Sequence, residues 1–499
     1  MFYKNLIDKS NIKLREYSAE PFESGWIVGK QNEKLPFGSC LEMFNFDVNS
    51  GALEDGVGIG NILVRYGIVK KDIQTLNLPA NTYVRDCFYF RSYNYNYKSY
   101  YSLLILKDNL GLFRYVRVDT QALTWKQIDN LEYYDDIEMM STVLNGKDAL
   151  VFGNGIKMFS WLPTDSSAST VNGTPNFTSL CYYDSRAFAT SYNHKKSILY
   201  SEAFDPLNFS VSNDQSGYIN MYDSLGACNK VLVFKEAVYA IRDYGITKIT
   251  RGKDKKDFEV ENMYVCNKKI YEKTVCDCGE KLYFLTSDGV YSFDGNNAKK
   301  VNLPYEKLIN KYSQDYAVGG YLNGNYYLAC AFDFQDDILC ESENNGVLEN
   351  NAYIKLNINT EESVITRGVG IKRFVPVTDS YNNFMLAVYV VKSGVFQLGV
   401  IDQNGKIKDN GIQKFWKSRQ HDFGYPNRNK LIKEMRFVSK TDITLKLYLD
   451  NKTKTINIKG KSTMQTIKIN EKAKLFGFSF ETTNSGTYIS SPKFLVGIL

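Results

Sequence analysis

Residues 197–250 read SILYSEAFDPLNFSVSNDQSGYINMYDSLGACNKVLVFKEAVYAIRDYGITKIT. Two apolar runs in this stretch, 231–234 and 238–241, are separated by a turn at 235–237 and followed by a glycine turn at 243–245. This alternation is typical of a half-buried antiparallel meander. Because a meander of a few strands cannot bury both of its faces alone, the pattern requires further copies of the same unit.

Other strand–turn–strand pairs along the chain supply these copies in weaker form. Successive units lie roughly 45 to 60 residues apart, which is the spacing of four-stranded blades in a β-propeller. We therefore predict an all-β fold whose main part is a β-propeller of about six blades. The remaining pairs are 101–116, 150–159, 281–293, 326–357 and 384–398.

The C-terminal part of the chain has its own strand pattern. Four alternating stretches and a last apolar strand after Pro492 predict a small antiparallel β-sandwich. The predicted organisation is an N-terminal arm at 1–38, a propeller at 39–405 and a basic C-terminal β-sandwich at 406–499. We expect the arm to join a neighbouring subunit or to close the first blade. The four alternating stretches are 445–449, 454–458, 466–469 and 475–480.

Charge is distributed unevenly along the chain. The net charge of the 499 residues is +6, but 406–499 alone holds 19 Lys and Arg against 7 Asp and Glu. One interpretation is a basic surface that meets an acidic partner or nucleic acid. The other is a set of exposed strand faces and edges that lysines protect from pairing with other chains. The segment lacks a phosphate-binding loop and the interleaved aromatics of a nucleic-acid module.

Composition favours an ordinary globular β protein. Hydrophobic residues make up 43% of the chain and charged residues 23%, and there are 37 Tyr and 30 Phe against only 4 Trp and 10 Pro. No apolar run approaches the ~20 residues that span a bilayer. The first twenty residues lack the apolar core of a signal peptide. We expect a soluble chain made in a cytoplasm.

Little in the sequence suggests catalysis or metal binding. The two histidines, His194 and His421, have no nucleophile motif near them, and we expect both to lie in turns. The acidic stretch 333–343 lacks the carboxylate spacing of a known cation loop, and 287–289 is explained by a hairpin turn rather than by a glycosidase site. We predict no enzyme activity, and no catalytic, cofactor-binding or metal-binding residues.

The nine cysteines do not form a recognisable metal motif. Cys276 and Cys278 are the only close pair, and their spacing differs from that of common zinc sites. We expect buried, reduced thiols that fill β cores. The other seven are Cys40, Cys87, Cys181, Cys228, Cys266, Cys330 and Cys340.

Three stretches resemble the tail nozzle proteins of short-tailed bacteriophages. The segment 198–249 is similar in its opening YSEAFDPLNF, its GYI at 217–219 and the following strand. The run 45–59 is similar to the opening of those proteins, where a short strand pair precedes the first blade. WKSRQHDFG at 416–424 is similar to the segment that leads into their appended β domain. The likeness covers roughly 39–499.

The resemblance implies a structural protein of the virion. Proteins of this group form a ring, usually of six copies, that closes the distal end of the tail and through which DNA leaves. The implied partners are copies of the chain itself, adaptor and portal proteins, tail fibres or spikes, and double-stranded DNA that passes without sequence-specific binding. No membrane partner is implied. The implied location is the virion tail, after synthesis in the host cytoplasm.

Two other classes of function remain open. A propeller that binds a host-surface glycan would need Tyr and Phe in its rim loops, whereas most of them here alternate within predicted strands. A scaffold propeller that docks peptides would show a regular blade signature, which this sequence lacks. Both alternatives predict a monomer or a small oligomer, and the nozzle interpretation predicts a ring.

Overall fold

Strands make up almost all of the regular structure. The computed structural model describes residues 13–19, 22, 40–49, 51–60, 82–94, 98–117, 125–131, 138–153, 157–171, 177–210, 215–251, 257–303, 305–312, 314–334, 350–378, 383–390, 396–406 and 413–499. Within these ranges, helix is confined to a single 3-10 turn at Glu306–Leu308. No helix in the described ranges is long and apolar enough to cross a membrane.

Five short strands precede the first blade of the propeller. The first four belong to a second domain, and the fifth belongs to the last blade. They are β1 (Leu14–Ser18), β2 (Cys40–Phe44), β3 (Phe46–Asn49), β4 (Ala52–Asp55) and β5 (Val57–Gly60).

Seven four-stranded antiparallel sheets follow one another and form the blades of a propeller. Blade 1 contains β6 (Val84–Asn94), β7 (Ser99–Asp108), β8 (Phe113–Arg117) and β9 (Lys126–Ile128). Blade 2 contains β10 (Glu138–Leu144), β11 (Lys147–Gly153), β12 (Met158–Trp161) and β13 (Ser169–Val171). Blade 3 contains β14 (Phe177–Tyr183), β15 (Arg186–Ser191), β16 (Ser197–Tyr200) and β17 (Gly217–Asn220).

Blades 4 to 7 complete the ring. Blade 4 contains β18 (Cys228–Phe234), β19 (Ala237–Arg242), β20 (Gly245–Arg251) and β21 (Phe258–Val265). Blade 5 contains β22 (Ile270–Asp277), β23 (Leu282–Thr286), β24 (Gly289–Phe293) and β25 (Ala298–Lys300). Blade 6 contains β26 (Val318–Leu322), β27 (Asn325–Cys330), β28 (Ala352–Asn357) and β29 (Ser363–Arg367). Blade 7 contains β30 (Gly370–Thr378), β31 (Asn383–Val390), β32 (Phe396–Lys406) and, as its outer strand, β5.

The N-terminal strand β5 completes the last blade. It pairs with β32, with Ile401 opposite Ile59 and Val400 opposite Gly60. The first strand of blade 7, β30, also contacts the first strand of blade 1, β6. The ring is therefore closed by backbone hydrogen bonds between segments from opposite ends of the propeller sequence.

A separate hydrophobic cluster fills each interface between neighbouring blades. Between blades 4 and 5, for example, Tyr239 and Ile241 pack against Phe284 and Ile270. This arrangement follows from alternation, since a middle strand of a blade presents side chains to both neighbouring blades.

The predicted propeller is confirmed, but it has seven blades rather than about six. The stretch 197–250, predicted as one unit, spans two blades, since 197–220 ends blade 3 and blade 4 begins at Cys228. The difference has a physical origin. β16 and β17 have only four residues each and stand far apart in sequence, so they resemble the opening of the meander that follows them rather than the end of blade 3.

The second domain consists of two sheets that share one core. The five-stranded sheet has the order β2-β33-β38-β35-β36, and the seven-stranded sheet has the order β1-β40-β34-β39-β4-β3, with β37 also paired to β34. The strands not yet named are β33 (Lys414–Ser418), β34 (Lys430–Ser439), β35 (Ile443–Leu449), β36 (Lys452–Ile458), β37 (Lys461–Ala473), β38 (Phe476–Thr482), β39 (Tyr488–Ile489) and β40 (Lys493–Ile498).

The predicted division of the chain needs correction at its N-terminal end. Strands β1 to β4 belong to the two-sheet domain and not to the propeller or to a free arm. In the predicted arm, β1 pairs with β40 of the same chain and not with the first blade. The Tyr17 ring also packs 4.8 Å from that of Phe423. The rest of 1–38, apart from residues 13, 19 and 22, lies outside the described residues.

A buried asparagine joins the two domains. Asn45, at the corner between β2 and β3, has φ 59 and is fully buried. Its side-chain amide donates to the carbonyls of Arg367 (3.2 Å) and Gln413 (2.7 Å), and its side-chain oxygen accepts from the Arg367 N–H (2.8 Å). Asparagine suits this position because it tolerates a left-handed backbone and carries both donor and acceptor groups.

The surroundings of Asn45 are equally tight. The Gly56 N–H donates to the Asn45 carbonyl at 2.9 Å, and a Cβ on Gly56 would lie 2.8 Å from that carbonyl, so only glycine fits. Phe44 stacks on Phe415 with ring centroids 5.4 Å apart, and both rings belong to the cluster between blades 5 and 6. The propeller and the two-sheet domain thus form one block.

Replacing Asn45 by Ala should uncouple the domains. The change leaves the carbonyls of Arg367 and Gln413 and the Arg367 N–H without their buried partner, at a cost of roughly 2 to 4 kcal/mol. We expect a lower melting temperature and separate unfolding transitions for the two domains in calorimetry. Asn267→Ala, at an exposed loop position, is the control. An unchanged single transition in Asn45→Ala would contradict this role.

Candidate functional site

One end of the propeller carries a continuous set of hydrogen-bonded loops. In an antiparallel blade, the loop between the second and third strands and the connection to the next blade lie at the same end. Backbone hydrogen bonds link these loops across blades 3 to 5. The N–H groups of Met221, Tyr244 and Cys266 donate to the carbonyls of Lys196, Leu225 and Tyr244, respectively. The loops therefore form a supported surface rather than isolated turns.

Five exposed tyrosines lie in these loops or in the connection from blade 5 to blade 6. We call this surface the tyrosine face, and its members are Tyr192, Tyr222, Tyr244, Tyr312 and Tyr316. Tyr222 and Tyr312 are 91% and 94% exposed, so their rings make almost no contact with the rest of the chain. Tyrosine rings that project from a fixed backbone can stack on flat ligands and offer a hydroxyl group.

Lysines accompany the tyrosines on this face. Lys195, Lys196 and Lys268 are exposed, and the Lys195 ammonium lies 5.1 Å from the centre of the Tyr192 ring. Lys269 pairs with Asp315 at 3.1 Å, which links the 266–269 loop to the connection between blades 5 and 6. The face therefore presents aromatic rings together with positive charge.

Two partly exposed aspartates of the same loops are fixed by an ion pair and by hydrogen bonds. The fully buried guanidinium of Arg242 pairs with Asp223 at 2.5 Å and donates to the Gly226 carbonyl at 3.0 Å. Asp243 accepts from the Ala227 N–H at 2.7 Å and from the Asn229 amide at 2.8 Å. Partial burial disfavours ionisation of Asp223, but its hydrogen bonds and the Arg242 charge outweigh this effect and lower its pKa. These two carboxylates therefore help to fix the shape of the loops.

The tyrosine face was not predicted from the sequence. Most aromatic residues alternate within predicted strands, and the five tyrosines are exceptions to that pattern. A usable signal was present, because several of them stand next to turn-forming or charged residues, as in Tyr192-Asn193, Tyr222-Asp223 and Tyr244-Gly245. The sequence does not show that loops from different blades lie at the same end of the ring.

The two histidines lie in different domains. His194 is exposed in the loop between β15 and β16, where its ring lies 5.0 Å from that of Tyr218. His421 lies in the two-sheet domain, where its backbone exchanges two hydrogen bonds with Phe476 and its Nδ1 accepts from the Phe423 N–H at 2.9 Å. Burial lowers the pKa of His421. It therefore stabilises a turn against β38, rather than lying in a loose linker.

The cysteines and acidic residues show no metal-binding arrangement within the described ranges. No group of three or more His, Cys, Asp or Glu side chains there is placed to hold a metal ion. Burial raises the pKa of the Cys276 thiol to about 11 and that of Cys278 still further. Asp288 accepts from the Tyr291 hydroxyl at 3.0 Å in the predicted hairpin turn. Cys340 and 335–343 of the acidic stretch lie outside the described residues.

Several cations on the first strands of the blades hold neighbouring blades together. Lys230 of blade 4 donates to the Val275 carbonyl of blade 5 at 2.8 Å, and Lys372 of blade 7 donates to the Arg85 carbonyl of blade 1 at 3.1 Å. The guanidinium of Arg373 also forms two hydrogen bonds with the buried carboxylate of Asp86, at 2.7 and 3.2 Å.

Five of the sixteen lysines in 406–499 lie on two edge strands. β36 and β37 are outermost strands of the two sheets. Lys454 of β36 bridges to Glu471 of β37 at 2.8 Å. Lys461, Lys468 and Lys472 of β37 are exposed. These lysines therefore lie at exposed sheet edges. This placement fits the second interpretation of the basic segment, in which lysines protect strand edges from pairing with other chains.

The protein is a seven-bladed β-propeller joined to a two-sheet β domain. No protein-family model matches the chain, and no curated protein does. Among solved structures, the chain is similar to BBS1N in complex with ARL6DN, at 9% identity and a TM-score of 0.41, over 64% of this chain and 92% of that one.

Two further structures show a similar or weaker likeness. Raptor from Chaetomium thermophilum has 14% identity and a TM-score of 0.35, over 63% of this chain and 28% of that one. YCF48 from Cyanidioschyzon merolae has 8% identity and a TM-score of 0.32, over 45% of this chain and 76% of that one. At these values the comparisons carry no argument about function.

Replacing Arg242 by Leu should loosen the tyrosine face. The variant leaves Asp223 and the Gly226 carbonyl without the buried guanidinium, so we expect a stability loss of about 1 to 3 kcal/mol. Hydrogen exchange in peptides covering 221–227 should accelerate. The control is Arg251→Leu, because the Arg251–Asp184 pair is about half exposed, and its loss should cost only ~0.5 kcal/mol. Equal protection of 221–227 in both variants would contradict this role for Arg242.

Proposed function

We propose that this chain is a structural component of a bacteriophage tail, either a nozzle or a head-to-tail connector protein. About six copies form a ring around a channel through which double-stranded DNA leaves. Adaptor and portal proteins lie above the ring, and fibres or spikes attach around it. The protein contacts DNA without reading its sequence, and it carries out no catalysis.

The observation that carries this proposal is the buried junction at Asn45. A ring that retains and releases DNA needs subunits that do not flex between their domains. Hydrogen bonds from Asn45 to blade 6, together with the Phe44–Phe415 stack, hold the propeller and the two-sheet domain as one block. The resemblance of 45–59, 198–249 and 416–424 to tail nozzle proteins is the second support.

The charge distribution is compatible with the same function. A channel lining should avoid a strong cationic hold on phosphates, because each neutralised phosphate strengthens binding and slows passage. The first-strand cations Lys230, Lys372 and Arg373 make hydrogen bonds inside the propeller. On the edge strand β37 of the two-sheet domain, Lys461, Lys468 and Lys472 are exposed, where protein partners can reach them.

The test is the assembly state of the purified protein. We expect rings of about six copies with an axial hole in negative-stain images, either alone or on the adaptor ring of the same phage. Sedimentation velocity on the same samples gives the copy number. A 57.1 kDa monomer that persists in the presence of the adaptor would overturn the proposal.

The tyrosine face favours a second candidate function, the binding of a host-surface glycan. Exposed tyrosines in rim loops are the feature that such a propeller needs. In the variant Tyr222→Ser/Tyr312→Ser we expect at least an approximately tenfold loss of affinity for host-surface polysaccharide, measured by calorimetry. The matched control is Phe204→Ser, since Phe204 is 85% exposed and lies at the opposite end of the propeller. Absence of binding by the unmodified protein would exclude this candidate.

A further inference from the structure

One blade has an unusually long outer strand. The outer strands β9, β13 and β25 have 3 residues, β5 and β17 have 4, and β29 has 5, whereas β21 of blade 4 has 8. Within the described part of the chain, no strand pairs with the outer edge of β21. Its Val260 and Val265 are 44% and 62% exposed. A long, uncovered edge of this kind is a template for pairing with another strand.

The free edge of β21 is acidic. Its sequence FEVENMYV contains Glu259 and Glu261, both exposed, and no basic residue. Asp257, also exposed, stands directly before the strand. Across the sheet, Glu259 lies opposite the uncharged Thr250, and Glu261 lies opposite Lys248.

The longest described strand, β37, provides a second free edge of opposite charge. It has 13 residues and pairs with β34 on one side, and in the described residues no strand pairs with its other side. Lys461, Lys468 and Lys472 are exposed on it, while its one acidic residue, Glu471, is paired with Lys454. Met464 adds an exposed apolar side chain.

The two edges do not pair with each other within one chain. β21 belongs to blade 4, and β37 belongs to the domain that Asn45 fixes to blade 6. A contact between two different surfaces of identical subunits repeats head to tail, and it closes into a ring when the rotation between subunits allows it. Two complementary edges on a rigid block are therefore suited to building such a ring.

We propose that the outer edge of β21 in one copy pairs with the outer edge of β37 in the next copy. Main-chain hydrogen bonds hold the two strands together, as in other cases of strand addition. The carboxylates of Glu259 and Glu261 face lysines of β37, which selects this pairing over the contact of two like edges. This inference rests on the proposed function, which requires a closed ring. It specifies the two surfaces that form the interface between neighbouring copies in that ring.

Charge reversal on each edge tests the pairing. One variant carries Glu259→Lys and Glu261→Lys, and the other carries Lys461→Glu and Lys472→Glu, whose cross-strand neighbours Ser439 and Leu431 are uncharged. A four-substitution variant combines all of these changes and restores opposite charges across the interface. The control is Lys126→Glu/Lys281→Glu, at two exposed positions in blades 1 and 5. Circular dichroism and melting temperature check the fold of each variant.

Sedimentation velocity over a concentration series measures assembly. We expect each two-substitution variant to assemble at least about tenfold more weakly than the unmodified chain. The four-substitution variant should recover assembly, which a merely structural defect would not do. The control should assemble like the unmodified chain. Higher salt should weaken assembly of the unmodified chain, because exposed charges are screened.

The possible failures are distinguishable. Rings that form equally well with either edge reversed would overturn the edge pairing and leave the proposed function standing. Weakened assembly that the four-substitution variant does not restore would also overturn the pairing, because the two edges would then not face each other. An unmodified chain that remains a monomer with its adaptor would overturn both proposals.

Discussion

The pairing of β5 with β32 is the constraint on which the rest of the structure depends. Blade 7 takes only three strands from its own part of the chain, and β5 supplies the fourth. Because β5 directly follows β4, and Gly56 between them bonds to Asn45, the segment that closes the ring also fixes the second domain. Closure of the propeller and attachment of the two-sheet domain therefore depend on the same short segment. A change in the register of β5 would also displace β4, and a change in the register of β4 would also displace β5.

Local pattern was sufficient to predict the blades, and long-range pairing was not predictable. Five of the hairpins identified from alternation, such as 281–293, form the two middle strands of a blade, and 231–241 forms the first two strands of blade 4, because period-two burial and turn residues act over a few positions. The prediction of about six blades differs from the observed seven because the last two strands of blade 3, β16 and β17, precede blade 4 closely enough to resemble its opening. The placement of β1 to β4 in the C-terminal sheets depends on contacts such as Leu14 opposite Gly497, for which a single sequence carries no local signal.

The interaction surfaces were predicted less well than the fold. A count of charges located the basic segment, and the structure adds that Lys461 and Lys472 lie on an unpaired edge. The tyrosine face was missed because it is assembled from Tyr192, Tyr222 and Tyr312, which come from three different inter-strand connections. The composition gives the number of tyrosines in the chain. Only the topology of the ring places these three tyrosines at the same end of the propeller.

The interleaving of the first and last strands has a consequence for how the protein is made. β1, β2 and β4 are translated long before their partners from the C-terminal segment, such as Tyr488 of β39, which lies opposite Glu54 of β4. Individual blades contain local contacts and can fold while the chain is still growing. The seven-stranded sheet stays incomplete until β40 has been translated, because β40 lies between β1 and β34. A chain that stops before β33 leaves β1 and β2 without the strands that they pair with, so a shortened copy exposes unpaired strand edges that can attract other chains.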